Sequence, residues 1–308
     1  MKIGILNFHR ALNYGAVLQC YGLQETLTAL GHEVSVIDYR PKIIEKHRSY
    51  FLFDILKEKG IIPFIRSTIY SLLTLPNKYK CKKDFDDFLS KYLKLTDFVV
   101  SLLDLAKLDS FDIIFVGSDQ VWSERITGLD NVYLGNFVKY HVRYIAYAAS
   151  LGASVCLEEP KQQRLLAFLP NYQKLSVREI YLQKWLMRHN FKSQVVLDPS
   201  LLADTSIFDK IAFKPKVSNY VLLINLDNSA ESCLFAENIA NQLQAKVVSI
   251  KAIGLSKNKF DLIFIIFFFF FTFYFFFFFF TIFFFFFSTA GMFLLCVFLF
   301  FYFEFILV

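Results

Sequence analysis

The 308 residues include 33 Lys and Arg, 27 Asp and Glu and 40 Phe. All the basic residues and 25 of the acids precede residue 261, so the first 260 positions carry a formal charge of +8. That balance points to anionic partners such as phosphates or a lipid surface, and no dense Lys/Arg block of the nucleic-acid type is present.

Residues 2–7 read as a short buried strand that enters a loop over 8–15 directly, which is not the pattern of a secretory leader. A helix follows from about residue 16: Ala16, Cys20, Leu23, Leu27 and Leu30 recur on one helical face, and Gly31 marks its end. Residues 33–38 form the next strand and complete a strand–helix–strand unit, the building block of a parallel sheet. Residues 41–97 are basic and irregular and read as a helical insertion covering the sheet. Within it, 61–75 is apolar but too short to span a bilayer and is interrupted by Pro63 and Arg66. Residues 82–92 form a helix with Phe85, Phe88, Leu89 and Tyr92 on one face.

Strands resume at 112–116 and 143–149. A helix at 161–169, a strand at 175–177, a helix at 180–189 and a strand at 194–197 come next. Residues 204–218 read as a linker. A second strand–helix–strand unit then occupies 220–226, 229–243 and 246–250. The pattern predicts an α/β protein of two domains, 1–203 and 204–260, the second cut short. The five cysteines (Cys20, Cys81, Cys156, Cys233, Cys296) are far apart, with no CxxC or Cys/His grouping. Reduced thiols in a cytoplasmic protein are expected, without a metal site or a disulfide framework.

Residues 261–308 differ from everything before them. They hold 24 Phe, with unbroken runs at 267–271, 275–280 and 283–287, and their only charges are Asp261 and Glu304. About 20 apolar residues suffice to span a bilayer. Natural spanning helices, however, mix Leu, Ile, Val, Ala and Gly and carry flanking anchors. Phe codons are thymine-rich, so a shifted frame through thymine-rich DNA produces such runs. We expect this low-complexity tail to be out of frame; a genuine hydrophobic tail is the alternative.

Five polar or glycine-containing clusters each follow a predicted strand: residues 9–15, 117–122, 150–152, 178–179 and 198–200. In open α/β sheets, ligands bind outside the carboxyl ends of the strands, so a site is expected there. Asn13, Tyr14 and Gly15 precede a helix whose free amides favour an anion; an ordinary capped turn is the alternative. There is no GxGxxG and no GxxxxGK[ST], so neither a dinucleotide fingerprint nor a P-loop is indicated. Ser118, Asp119 and Gln120 suit sugar hydroxyls, and Trp122 either stacks on a sugar face or packs in the core. Arg178 can grip a phosphate or carboxylate bidentately, or pair with Glu179 on the surface. Of the histidines, only His9 lies in a strand-end loop. Ser118 and Ser150 lack a GxSxG context, which argues against a serine hydrolase.

Residues 8–19 (Phe-His-Arg-Ala-Leu-Asn-Tyr-Gly-Ala-Val-Leu-Gln) resemble the N-terminal signature of the polysaccharide pyruvyl transferase family. Matching stretches follow in order at 37–41, 116–122, 147–152, 176–179 and 197–202, and the resemblance covers about residues 1–255. It implies two Rossmann-like domains facing a cleft in a glycosyltransferase-B-like arrangement. It also implies pyruvyl transfer from phosphoenolpyruvate to a sugar of a surface polysaccharide or its lipid-linked precursor. No cofactor is implied, and the protein would lie in the cytoplasm or peripherally at the inner membrane face. On this reading Arg178 clamps the donor, while His9, Arg10 and Asp119 act on the acceptor side or support it. Asn13, Tyr14, Gly15, Ser118, Gln120, Trp122 and Ser150 bind substrate.

Two departures stand out. Ser123-Glu124 replaces the Asn-Pro usual after the tryptophan, which bears on acceptor contacts. No Ser-Phe-His-Gly-like segment with the family's late histidine occurs, so the chain as printed is expected to be inactive and poorly soluble. The other readings are a nucleotide-sugar glycosyltransferase, and a non-enzymatic product that is membrane-associated or misfolded.

Overall fold

A computed structural model of the chain describes residues 1–48, 60–108, 111–136, 142–152, 158–225 and 229–251. The Phe-rich tail, Cys156, Cys296, His141 and the side chain of His47 lie outside what is described. The chain divides into two compact units, Met1–Leu52 with Leu75–Ile253, and Phe53–Thr74 with Gly254–Val308. The sequence pattern places domain boundaries at 203/204 and 260/261. In the second unit, the described secondary structure is the start of the helix Ile61–Tyr92.

The first unit is built on six parallel strands: β1 (Lys2–Leu6), β2 (Glu33–Val36), β3 (Ile113–Val116), β4 (Arg143–Ala149), β5 (Tyr172–Val177) and β6 (Gln194–Val195), in the order β2-β1-β3-β4-β5-β6. β1 and β3 are apolar almost throughout, as central parallel strands covered on both faces must be. Ile3 and Ile5 face one layer, packing with Val17, Cys20, Leu23 and Leu27 of the helix Tyr14–Ala29 and with Phe85 and Leu89. Leu6, Ile114, Val116 and Ala146 face the other layer, with Trp122, Leu165, Leu182 and Leu186. The sheet is therefore doubly wound.

Its order is the flavodoxin-type 2-1-3-4-5, extended by one strand, rather than the Rossmann 3-2-1-4-5-6. The physical reason lies at the outer edge of β2. There Leu95 and Val99 bridge to Val36 and Tyr39, so no further strand is added on that side. The chain reverses its progression between β1 and β3, which makes that crevice the topological switch point.

The structure corrects several expected elements. Residues 61–92 form one continuous helix. Pro63 falls in the first turn, where its missing N–H costs nothing, and Pro76 is accommodated inside. The expected linker contains the helix Thr205–Asp209. It is docked through Ile207 and Phe208, and Tyr21 donates its hydroxyl to the Ile207 carbonyl at 3.2 Å. β5 begins three residues earlier than expected, because Gln173 and Lys174 conceal its apolar pattern.

β7 (Tyr220–Asn225) and β8 (Lys246–Lys251) pair in parallel as a separate two-stranded sheet, joined by the helix Ala230–Gln242, which Ser229 caps. Leu222, Ile224, Val247 and Ile250 stay exposed on it. No described helix is long and apolar enough to cross a membrane.

Candidate active site

The loop after β1 leads into the helix Tyr14–Ala29 at the switch point. The Asn13 side chain caps that helix by accepting the Ala16 N–H at 3.2 Å. The Tyr14 and Gly15 amides donate to nothing among the described residues, leaving them available to an anion. Tyr14 is exposed, with its ring against Phe85.

His9 is fully enclosed. Its Nε2 lies 3.2 Å from Asp38 Oδ1, and its Nδ1 has no partner among the described residues. Burial lowers the His9 pKa despite the neighbouring carboxylate, so the ring is neutral and Nε2–H donates to Asp38. Asp38, at the end of β2, also receives Arg40 Nε at 3.0 Å and lies 3.8 Å from Arg10 Nε. Burial works against ionisation of Asp38, but hydrogen bonds from His9 and Arg40 hold its carboxyl well below the usual range. Arg10 is further engaged by Glu45 at 3.3 Å and Asp86 at 3.6 Å.

A second cluster spans the carboxyl ends of β3, β5 and β6. Arg178 donates from Nε to Glu179 Oε1 at 3.0 Å and from Nη1 to Asp198 Oδ2 at 3.1 Å. Its Nη2 lies 3.7 Å from Asp119 Oδ1. Burial opposes the Arg178 charge, but Glu179 and Asp198 raise its pKa nonetheless. Asp119 has a left-handed backbone (φ 79°), and burial raises its pKa against the pull of Arg178. The Ser150 hydroxyl donates to Glu179 Oε1 at 2.8 Å. The Ser118 hydroxyl donates to Gln19 Oε1 at 3.3 Å, and Gln19 in turn donates to Asp198. Gly117 has φ 116°, and a Cβ there would collide with the Tyr147 carbonyl, so only glycine carries β3 into this cluster.

The structure thus brings Ser118, Asp119, Ser150 and Arg178 into one network and gathers His9 and Arg10 into another. Gln120 lies beside Gly152, where a Cβ would meet its side-chain oxygen. Trp122 is fully buried, edge-on to Tyr172 at 5.9 Å, so its indole is core rather than a sugar platform. His9 is likewise too enclosed to touch a substrate and acts on Asp38.

The sequence pattern assigns no individual role to Gln19, Asp38, Glu179 or Asp198, although 178–179 and 198–200 stand among its strand-end clusters. Each lies within one of the family-like stretches, and their convergence depends on strand order. Among the described residues no group of three His, Cys, Asp or Glu side chains is arranged to hold a metal. A cavity of about 480 Å³ at the amino-terminal side of β1 and β2 is lined by Lys2, Glu33, Asp97, Asp104 and Lys107 among others. It mixes both charge signs away from these loops, and we place no chemistry there.

A doubly wound α/β sheet with charged and amide groups at its switch-point edge has the layout in which open α/β folds bind ligands. The sequence model of the polysaccharide pyruvyl transferase family matches residues 13–270. The chain belongs to that family, which is a family of transferases. No curated protein matches it. Among solved structures, the crystal structure of M. tuberculosis FadB2 is similar over 83% of this chain at 14% identity, with a TM-score of 0.23. The chain covers 66% of that protein's length, just under two thirds, and the likeness carries no argument.

Proposed function

We propose that the body of this chain binds phosphoenolpyruvate and a saccharide for pyruvyl transfer. Family membership supports this. So does one observation above all: Arg178 lies 3.7 Å from Asp119, a cation beside a carboxylate that burial makes more basic, at the carboxyl edge of the sheet.

Ketal formation is redox-neutral. The donor's methylene carbon gains one proton and becomes a methyl group. Two sugar hydroxyls bond to the adjacent carbon and give up their protons, and the carbon–oxygen bond to phosphate breaks. One hydroxyl proton balances the new methyl group and the other leaves on phosphate. Arg178 grips the donor carboxylate or phosphate, and the Tyr14 and Gly15 amides face its charge. Asp119 accepts a hydroxyl proton. Ser118 and Ser150, both buried, hold Gln19 and Glu179 in place. His9 and Arg10 position the loop after β1 through Asp38.

The β7–β8 unit begins a second Rossmann-like domain in a glycosyltransferase-B-like arrangement. The acceptor is a polysaccharide sugar or its lipid-linked precursor at the cytoplasmic membrane face. Ketal formation needs groups of that second domain which the Phe-rich stretch displaces, so the printed chain binds donor without turnover.

Resequencing the gene and expressing both forms tests this. A frame-restored product should form ketal and release phosphate from phosphoenolpyruvate, while the 308-residue chain should not. Binding of nucleotide sugars but not phosphoenolpyruvate by both forms would refute the assignment.

A further inference from the structure

The Arg178 guanidinium is already occupied. Nε faces Glu179 at 3.0 Å, Nη1 faces Asp198 at 3.1 Å and Nη2 faces Asp119 at 3.7 Å. Bidentate capture of a planar anion needs one edge of the guanidinium with two parallel N–H groups, and here carboxylates face both edges. A single cation stands among three acids, so an incoming anion meets net negative charge. These side chains are between 13% and 25% exposed, open enough for a ligand to reach and shielded enough for Coulomb terms to matter.

We infer that Asp198 and Glu179 compete with the anionic donor for Arg178, so that donor binding is an exchange of partners. Acceptor hydroxyls that donate to these two carboxylates release the arginine and thereby favour the donor. This rests on the reading of Arg178 as donor clamp. Its consequence is that donor and acceptor binding are positively and reciprocally coupled.

Two nearly isosteric changes isolate the competition. Asp198 Oδ1 is anchored separately by the Ser200 N–H at 3.0 Å and the Ser200 hydroxyl at 2.6 Å. Asn caps a helical turn as well as Asp does, so Asp198→Asn keeps the fold and removes the charge. Glu179→Gln keeps an acceptor oxygen for the Ser150 hydroxyl.

The test is calorimetric titration of phosphoenolpyruvate into the full chain held in mild detergent, with circular dichroism to verify folding. Each single variant should bind phosphoenolpyruvate about tenfold more tightly than the parent, the scale of removing one nearby like charge. Adding Arg178→Ala to Asp198→Asn should abolish the gain. Equal or weaker binding in both folded single variants overturns the inference. If Arg178→Ala also weakens the parent, the donor-clamp reading survives that result. If the parent and every variant fail to bind, both fall together.

Discussion

Around Asp38, two arginines and a histidine enclose one carboxylate. Around Arg178, three carboxylates surround one guanidinium. Both clusters stand at the carboxyl edge of the same sheet, and both are built from residues within the family-like stretches. The His9 and Asp38 side chains are essentially unexposed, and each partner's charge is answered within the protein. Arg178, Asp119 and Glu179 each keep about a quarter of their side-chain surface open. The first cluster is closed around His9 and Asp38, with Arg40 about a third exposed at its rim, and ties the loop after β1 to β2. The second is open and over-supplied with acid, a costly arrangement for folding alone. Burial and charge balance, rather than motif membership, separate the group that holds the fold from the group proposed to meet a ligand.

The largest effect expected is on the closed cluster. Asp38→Ala would take the acceptor from the buried His9 Nε2–H and the partner from the partly exposed Arg40, while Arg10 keeps Glu45 and Asp86, and should cost about 3 kcal/mol in urea unfolding. A loss under about 1 kcal/mol would mean that the cluster is not structural. Next, Arg178→Ala should weaken phosphoenolpyruvate binding by about 2–4 kcal/mol while changing unfolding little, with Arg178→Lys recovering only part. Third, Asn13→Ala removes a helix cap and should cost about 1 kcal/mol, read from thermal melting.

The smallest effect sharpens the contrast through pH. Asp38 is depressed in the folded state, so its stabilisation is present above the unfolded carboxyl value of about 3.9 and is lost as pH falls below it. Asp119 is raised, so its contribution is full below that value and is lost as pH rises through its folded pKa. Asp119→Asn should therefore leave the melting temperature at pH 7 unchanged or raise it by about 1–3 °C, while abolishing ketal formation in a frame-restored protein. A clear fall in melting temperature would contradict the idea that Asp119 is kept for chemistry.

Much of the fold was legible because it is local. The strand–helix–strand unit at 2–38 was readable from periodicity, and the later unit at 220–250 likewise. Asn13 and Gly31 mark the ends of the first helix by side-chain chemistry alone. What escaped the sequence depends on distant partners. Nothing local says that residue 19 reaches residues 118 and 198, or that β5 lies beside β6 and brings Arg178 to Asp198. Trp122 and His9 looked like site residues because their motifs border the edge, yet their side chains turn into the core. The continuous helix 61–92 was hidden by its prolines, which mark a break only where no packing overrides them.

Side-by-side titration of phosphoenolpyruvate into the folded full chain, Arg178→Ala and His9→Gln tests the central distinction most directly. The account predicts that the parent binds, that Arg178→Ala binds at least about thirtyfold more weakly, and that His9→Gln stays within about threefold of the parent. Loss of binding in His9→Gln with parental affinity in Arg178→Ala would assign the donor to the other cluster and contradict it.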